Sequence, residues 1–341
     1  TDSDMSIPSN ILELLIPFFA DQYQASHAAL ARSYAAAVIA TSANEVGLNL
    51  LCQQFTKLQP PPVTGNRLPL GLAPRRIDHS NERLALLSAI GELIPHLVSE
   101  DVISCAKFIV TVGVVDSNSN VSAFALEIGK QLISAHGGEY ADGLLPLFEE
   151  GNVVLFGFAA QYLPANDPRL EVSIDRLLRA VNENAEGDEA VAAVASASVS
   201  ALVAVAPLAP SAVISDLLRK LSQAALSPTS VSSRRGAALG FAGIASGLGL
   251  RVLGEVDITA QISSASGDRK NAGSRAGAQF MISALAEVFG PVFEPYALEL
   301  MPEILAGLGD AQAIVRAPAG NAARKVMGLA TAYGVGVLIP M

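Results

Sequence analysis

The stretch from Leu298 to Gly334 constrains the fold most, because it holds two amphipathic helical patterns separated by a short turn. Apolar residues recur there at the three- and four-residue spacing that turns one side of a helix toward a core. The first helix places Leu298, Met301, Ile304, Leu305 and Leu308 on that side, and the second places Val315, Ala319, Ala322, Val326, Leu329 and Ala330 there. Gly309 and Asp310 end the first helix, and Gly334 predicts a left-handed stop for the second. Such a pair cannot bury its own apolar faces, so the pattern predicts stacked neighbours of the same kind.

Three sites in this pair have a recognisable spacing. Pro302 lies in the first helix, Asp310 in the turn, and Val315 and Arg316 open the second helix. This arrangement resembles the HEAT repeat, in which the Pro bends the first helix and the Asp and Arg of successive repeats form a hydrogen-bonded ladder. The resemblance implies ladder roles for Asp310 and Arg316. It also implies an all-α solenoid of the HEAT or armadillo type, built from stacked antiparallel helix pairs.

The rest of the chain repeats the signals of this pair. The glycine stops at positions 249, 290 and 334 are 41 and 44 residues apart, which fits the roughly 40 to 47 residues of HEAT and armadillo units. Triplets of two apolar residues and a Pro predict the first helices of several repeats. They are Leu15-Ile16-Pro17, Leu93-Ile94-Pro95, Leu144-Leu145-Pro146, Leu300-Met301-Pro302 and Leu338-Ile339-Pro340. The last triplet opens a helix without a partner, so we expect a fragment of a longer protein.

One Pro-rich interruption divides the chain. Five prolines fall between residues 59 and 77, where a helix cannot persist. We therefore predict an N-terminal helical stack over residues 1–58, a connection over 59–80 and a HEAT-repeat solenoid over 81–341. A ligand for proline-binding domains is the alternative interpretation of the connection.

Charge and cysteine content exclude several classes of protein. The net charge of -10 excludes a protein whose whole surface grips nucleic acid, so any such contact must be local. Cys52 and Cys105 are the only cysteines and lie far apart in sequence, which predicts neither a disulfide framework nor a metal cluster and favours a reducing compartment. The uncharged run from Ala190 to Ile214 is long enough for a membrane span, but its serines, Pro207 and Pro210 favour a buried helix pair.

No pattern of catalytic or ligand-binding residues emerges from the sequence. His27, His79, His96 and His136 share no metal-ligand spacing. The glycines between positions 236 and 254 match neither the phosphate-loop nor the dinucleotide pattern, and they favour close helix contacts and a helix end. Glu149 and Glu150 are adjacent in sequence, so on a helix they point in different directions. We therefore predict no active site, cofactor, metal or small-molecule substrate.

A more specific resemblance begins at Arg234. The run Arg234-Arg235-Gly236-Ala237, the run Asp268-Arg269-Lys270-Asn271 and the run Phe293-Glu294-Pro295-Tyr296 resemble the general-control translational activator family of ribosome-bound HEAT scaffolds. The resemblance covers about residues 80–341. The same region is similar to the HEAT part of fungal elongation factor three.

This resemblance implies a function in translational control. Members of the family are non-enzymatic cytoplasmic scaffolds that bind ribosomes and an ATP-binding-cassette partner. They support activation of the kinase that phosphorylates the alpha subunit of translation initiation factor two in amino-acid starvation. We expect the kinase contact to lie further along the longer chain, and we expect no membrane partner.

Basic residues at the turns are the candidate contact surface. Stacked repeats place equivalent positions side by side, so these residues are predicted to form a stripe facing ribosomal RNA or an acidic ribosomal protein. The candidates are Arg234, Arg235, Arg269, Lys270 and Arg275. In the alternative interpretation, Arg275 and Arg316 belong to the internal ladder and the other basic residues are merely solvated.

Two alternative functions remain open. The first is a HEAT adaptor of another class, such as a nuclear transport receptor or phosphatase scaffold that binds peptides on its concave face. The second is an enzyme.

Overall fold

The computed structural model describes residues 38, 44–60, 78–186, 189–227 and 229–331, and every regular element in these ranges is helical. Helices that follow one another in the chain pack together in pairs, and the prediction of an all-α HEAT-type solenoid is confirmed. The chain forms two compact units, Thr1–Tyr162 and Leu163–Met341. The predicted helices before residue 44, most of the Pro-rich connection and the final triplet lie outside the described residues. The division at residues 59–80 therefore stays a prediction.

The described part of unit 1 contains five α-helices. They are α1 (Asn44–Leu58), α2 (Ser80–Leu93), α3 (Ser99–Phe108), α4 (Ser119–Gly151) and α5 (Val153–Ala160). Helix α1 packs on α2, α2 on the first half of α4, α3 on α4, and α4 on α5. Asn152 alone separates α4 from α5, and its Oδ1 accepts the backbone N–H groups of Val154 and Leu155 at 3.0 and 3.1 Å. This N-cap satisfies two otherwise unpaired donors at the start of α5.

Helix α4 continues through two adjacent glycines. The run His136-Gly137-Gly138 stays helical, and the kink falls at Tyr140, whose φ of -114° and ψ of 16° are non-helical. A Cβ on Gly137 would lie 2.6 Å from Cδ2 of Tyr162. The glycine therefore lets an aromatic ring pack directly on the helix backbone rather than ending the helix.

The Leu-Ile-Pro triplets have two different structural roles. Leu144-Leu145-Pro146 lies inside α4, in the part that acts as a first helix, as predicted. Leu93-Ile94-Pro95 instead ends the second helix α2 and continues into the 3-10 turn Ile94–His96, so this part of the prediction is wrong. A Pro is compatible with the first turn of a helix as well as with a stop, and the triplet alone does not distinguish the two.

Unit 2 contains ten α-helices in its described part. They are α6 (Arg169–Glu183), α7 (Glu189–Val205), α8 (Ser211–Leu226), α9 (Val231–Leu248), α10 (Arg251–Glu255), α11 (Ile258–Ser266), α12 (Ala272–Phe289), α13 (Glu294–Glu299), α14 (Met301–Leu308) and α15 (Ala313–Leu329). The second helices α7, α9, α12 and α15 pack in series, and the first helices α6, α8, α11 and α14 pack against them. Gly249 and Gly290 end α9 and α12 with φ of 88° and 62°, so these two predicted stops are confirmed.

The last helical pair is as predicted in part, but α15 ends at Leu329 and not at the predicted stop Gly334, and Leu329 and Ala330 are half-buried because they lie at this end. The core positions Val315, Ala319, Ala322 and Val326 of α15 are buried. The first helix is broken at Leu300, two residues before Pro302, and the buried face of α14 consists of Met301, Ile304 and Gly307. Leu305 and Leu308 are 54% and 42% exposed, which contradicts the predicted face. A helix that buries residues at every third position places those two leucines on its flank.

The apolar run from Ala190 to Ile214 is divided between α7, the 3-10 turn Ala206–Leu208 and α8, as the helix-pair interpretation predicts. Within the described ranges, one stretch, Ala272–Glu299, has the length and apolar composition of a membrane span. Of the 18 most apolar consecutive residues in this stretch, 61% are buried inside the protein. Burial of this kind is what the core helix of a helical stack requires.

Candidate functional site

A recurring Asp shapes the turns that precede second helices. Its carboxylate accepts the backbone N–H two residues further on, which fixes the turn in the manner of an Asx-turn. The pairs are Asp116 with Asn118 at 2.9 Å, Asp268 with Lys270 at 2.9 Å and Asp310 with Gln312 at 2.8 Å. Asp167 makes the same bond with the N–H of Arg169 at the start of α6. The short polar side chain thus sets the direction in which the next helix begins.

Arg275 and Asp310 form a rung of the predicted ladder. Arg275 donates from Nε and Nη2 to the two carboxylate oxygens of Asp310 at 2.6 and 3.1 Å, and from Nη1 to the backbone oxygen of Asp268 at 2.7 Å. The side chains are 16% and 10% exposed. The hydrogen bonds from Arg275 and from the N–H of Gln312 lower the pKa of Asp310. Arg275 therefore joins two neighbouring turns, which supports the ladder interpretation over a surface contact.

A second rung lies in unit 1, where the sequence analysis did not find it. Arg83 pairs through Nε with Oδ2 of Asp116 at 2.9 Å, and both side chains are 0% exposed. Arg83 also donates to the backbone oxygen of Leu58 at 3.0 Å and to Asp78 at 3.3 Å. The sequence signal is the separation of 33 residues between Arg83 and Asp116, close to the 35 residues between Arg275 and Asp310.

Arg316 binds within its own turn. It donates from Nη1 to the backbone oxygens of Asp310 and Ala311, both at 2.7 Å, and it is exposed. Arg275 uses the corresponding bond to the oxygen of Asp268. The Arg partner of Asp310 in the ladder is therefore Arg275 of the preceding repeat, rather than Arg316.

Arg234 is removed from the contact surface by its burial. Its side chain is on the buried side of α9, the residue is 2% exposed, and its Nη1 donates to the backbone oxygen of Thr229. Burial lowers the pKa of Arg234, and the nearby Glu186 opposes that effect. A guanidinium in this position stabilises the turn before α9 and is not available to a partner.

The three other predicted contact residues are exposed, in two places. Arg269 and Lys270 stand together in the turn between α11 and α12, which we call the basic turn and define as residues 268–271. Asp268 holds this turn by accepting from the N–H groups of Lys270 and Asn271, and the side-chain hydrogen bond of Asn271 lowers the pKa of Asp268. Arg235 lies elsewhere. It is on α9 and lines a groove of about 310 Å³ together with Glu287 and Lys325.

The basic turn is therefore smaller and more rigid than the predicted stripe. It presents two adjacent cations, and Arg275 anchors its backbone to the next turn. Arg316 is exposed at that next turn. This arrangement suits recognition of a phosphate backbone or an acidic protein surface, because the backbone that carries the two cations is already ordered before binding.

Metal-ligating side chains are dispersed in the described ranges, where no three His, Cys, Asp or Glu residues come together as a metal site. His79 contacts Glu82 at 2.9 Å, and Nε2 of His136 lies 2.7 Å from the backbone oxygen of Ile94. Each of these two histidines therefore has a partner within the chain. Cys52 and Cys105 are free thiols, and burial raises the pKa of Cys52 to about 12, which makes it a poor nucleophile.

Comparisons with known proteins agree with this architecture. The family described as stalled ribosome sensor GCN1, HEAT repeats, matches residues 1–151, and the family described as EF3 N-terminal HEAT repeat matches residues 234–341. The eIF-2-alpha kinase activator GCN1 of Saccharomyces cerevisiae is 34% identical over 71% of this chain and 9% of its own length. The stalled ribosome sensor GCN1 of Homo sapiens is 29% identical over 83% of this chain and 11% of its own length.

Among solved structures, the crystal structure of Kap121p bound to Ste12p matches with a TM-score of 0.46 at 13% identity, over 100% of this chain and 35% of that chain. The chain spans about a tenth of the length of the curated relatives it matches. The two family matches and the sequence relatives all point to the same group of proteins. The chain therefore belongs to the GCN1 family, as a HEAT-repeat region.

Proposed function

We propose that this chain is a non-enzymatic scaffold of translational control that contacts the ribosome through the basic turn. The observation that carries the proposal is the pair of exposed cations, Arg269 and Lys270, on a turn held by Asp268 and Arg275. The relatives are named as a stalled ribosome sensor and an eIF-2-alpha kinase activator, which supports a ribosomal partner. The chain acts in the cytoplasm, where translating ribosomes are found.

The scaffold supports kinase activation in amino-acid starvation as one part of a longer protein. Its helical faces hold an ATP-binding-cassette partner, and the kinase contact is made elsewhere in the longer chain. HEAT repeats suit this role, because each added repeat extends a binding surface without a catalytic centre. The proposal needs no cofactor or small-molecule substrate.

Co-sedimentation with purified ribosomes tests the contact. The variant R269E/K270E should lose about tenfold or more in affinity, because two charge-assisted contacts are replaced by repulsion. Binding of the unchanged chain should also weaken steeply between low and moderate salt, as expected for cations that displace counterions from RNA.

The matched control is R219E/K220E, which makes the same charge change on α8. Both residues are exposed and pair with Asp216 on their own helix. The control should bind ribosomes nearly as well as the unchanged chain. Equal losses in the two variants, with helical content intact in both, would mean that net charge and not the basic turn determines binding.

A further inference from the structure

Unit 1 contains a groove that the ribosome contact does not use. The groove has a volume of about 600 Å³. It is lined by three segments, namely α2, the first half of α4, and α5 with the residues that follow it. Its floor is formed where Gly91 meets α4, since a Cβ on Gly91 would lie 2.8 Å from Cδ1 of Ile128. A side chain at position 91 would collide with Ile128, so the glycine lets α2 and α4 approach closely at the floor of the groove.

The lining of this groove combines aromatic rings with carboxylates. Phe124, Phe158 and Tyr162 are half-buried, and Glu92 and Glu127 are exposed at the edge. Aromatic faces and carboxylates are the two kinds of group that bind ammonium and guanidinium ions in proteins. The groove thus offers both parts of a cation site.

One cation of the chain already uses this chemistry. The Nζ of Lys130 lies 5.3 Å from the ring centroid of Phe158 and 2.6 Å from Oε1 of Glu127. Its side chain is 26% exposed, so it can be displaced by swinging toward solvent. Lys130 therefore shows how a partner's Lys or Arg would be held, and it competes for the same position.

The charge of the unit favours the same class of ligand. Residues 1–162 hold 16 Asp and Glu against 8 Lys and Arg, whereas residues 163–341 hold 16 against 14. A groove in an acidic unit attracts basic segments and repels nucleic acid. We propose that this groove binds an extended, Lys- and Arg-rich peptide segment of a partner protein.

Fluorescence anisotropy of a labelled peptide with three Lys-Ser-Arg-Ser repeats tests the proposal on the 341-residue chain. E92K should weaken binding about tenfold, whereas E139K should leave it nearly unchanged. Glu139 provides the same charge change on α4 and is exposed outside the groove lining.

A gain of affinity gives the second readout. K130M should bind the peptide several-fold more tightly, because it removes the ammonium group that competes with the peptide for Glu127 and Phe158. K107M makes the same charge change on α3, outside the groove lining, and should have a smaller effect. The proposal would be overturned if the peptide did not bind, or if a peptide of Glu-Ser-Asp-Ser repeats bound equally well. It would also be overturned if K130M and K107M had equal effects, or if E92K and E139K did.

Discussion

At the scale of single residues, the Asp–Arg pairs explain both the stability of the turns and the placement of the exposed cations. Arg275 satisfies a backbone oxygen in one turn and a carboxylate in the next, so it fixes the distance between two repeats. Arg83 does the same in unit 1 with Asp116. Arg234 follows the same pattern only within its own turn. The arginines that look alike in sequence thus divide into structural and exposed groups.

Removal of the Arg275 side chain should weaken folding measurably. R275A should lower the free energy of unfolding by about 2 kcal/mol, because it leaves a largely buried carboxylate without its partner. R316A is the control and should cost less than about 1 kcal/mol, since its exposed guanidinium binds only its own turn. Urea unfolding followed by circular dichroism measures both changes, and an equal loss in the two variants would contradict the ladder.

The carboxylate of Asp310 should also make stability depend on pH. Its pKa is lowered in the folded state by Arg275 and Gln312, so it stabilises the fold at pH values above its unfolded pKa of about 3.9. This contribution is lost as pH falls through the folded pKa. The difference in melting temperature between the unchanged chain and D310N should therefore be largest near neutral pH and shrink below about pH 4. A difference that stays constant between pH 7 and pH 3 would show that the charge of Asp310 is unimportant.

At the scale of helices, small residues set how closely neighbours approach. A Cβ on Gly277 would lie 2.0 Å from the backbone oxygen of Ala225, so α12 packs directly on the end of α8. A Cβ on Gly247 would lie 2.3 Å from the backbone oxygen of Val203, which places α9 equally close to α7. The predicted role of the glycines between residues 236 and 254 in close helix contacts is confirmed at Gly247.

A pair of Gly→Ala substitutions separates packing from helix propensity. G277A should destabilise unit 2 by about 2 kcal/mol, because the added methyl group meets backbone atoms that cannot rotate away. Gly320 lies within α15 and has open space around its Cβ position, so G320A should raise the free energy of unfolding by about 0.5 kcal/mol. Urea unfolding of both variants should therefore give shifts of opposite sign, and a stabilising G277A would contradict the packing described.

The sequence predicts the helices better than it predicts their faces and contacts. The apolar periodicity gives the buried side of α15 correctly from Val315 to Val326, because a long helix between two neighbours has one continuous core face, but it extends that face beyond the end of the helix. It misassigns Leu305 and Leu308, since a short first helix buries a narrower side than its apolar residues suggest. It also does not reveal that Arg234 points inward, because helical spacing does not give the rotation of a helix against its neighbours.

At the scale of the whole molecule, the negative charge is distributed unequally between the two units. The acidic excess lies in unit 1 with the aromatic groove, and unit 2 is close to neutral with a local cluster of cations in the basic turn. A chain with a net charge of -10 can therefore contact RNA or an acidic protein only at such a local cluster. This distribution fits a scaffold that holds different partners on different repeats.

The most direct test of the ribosome contact is site-specific photo-crosslinking. A photoreactive amino acid at position 270 should form crosslinks to ribosomal RNA or a ribosomal protein when the chain is mixed with ribosomes and irradiated. The same group at position 220, on the exposed side of α8, should form few. Crosslinks of equal yield from both positions would contradict the assignment of the contact to the basic turn. The absence of crosslinks from position 270, while the labelled chain still co-sediments with ribosomes, would contradict it as well.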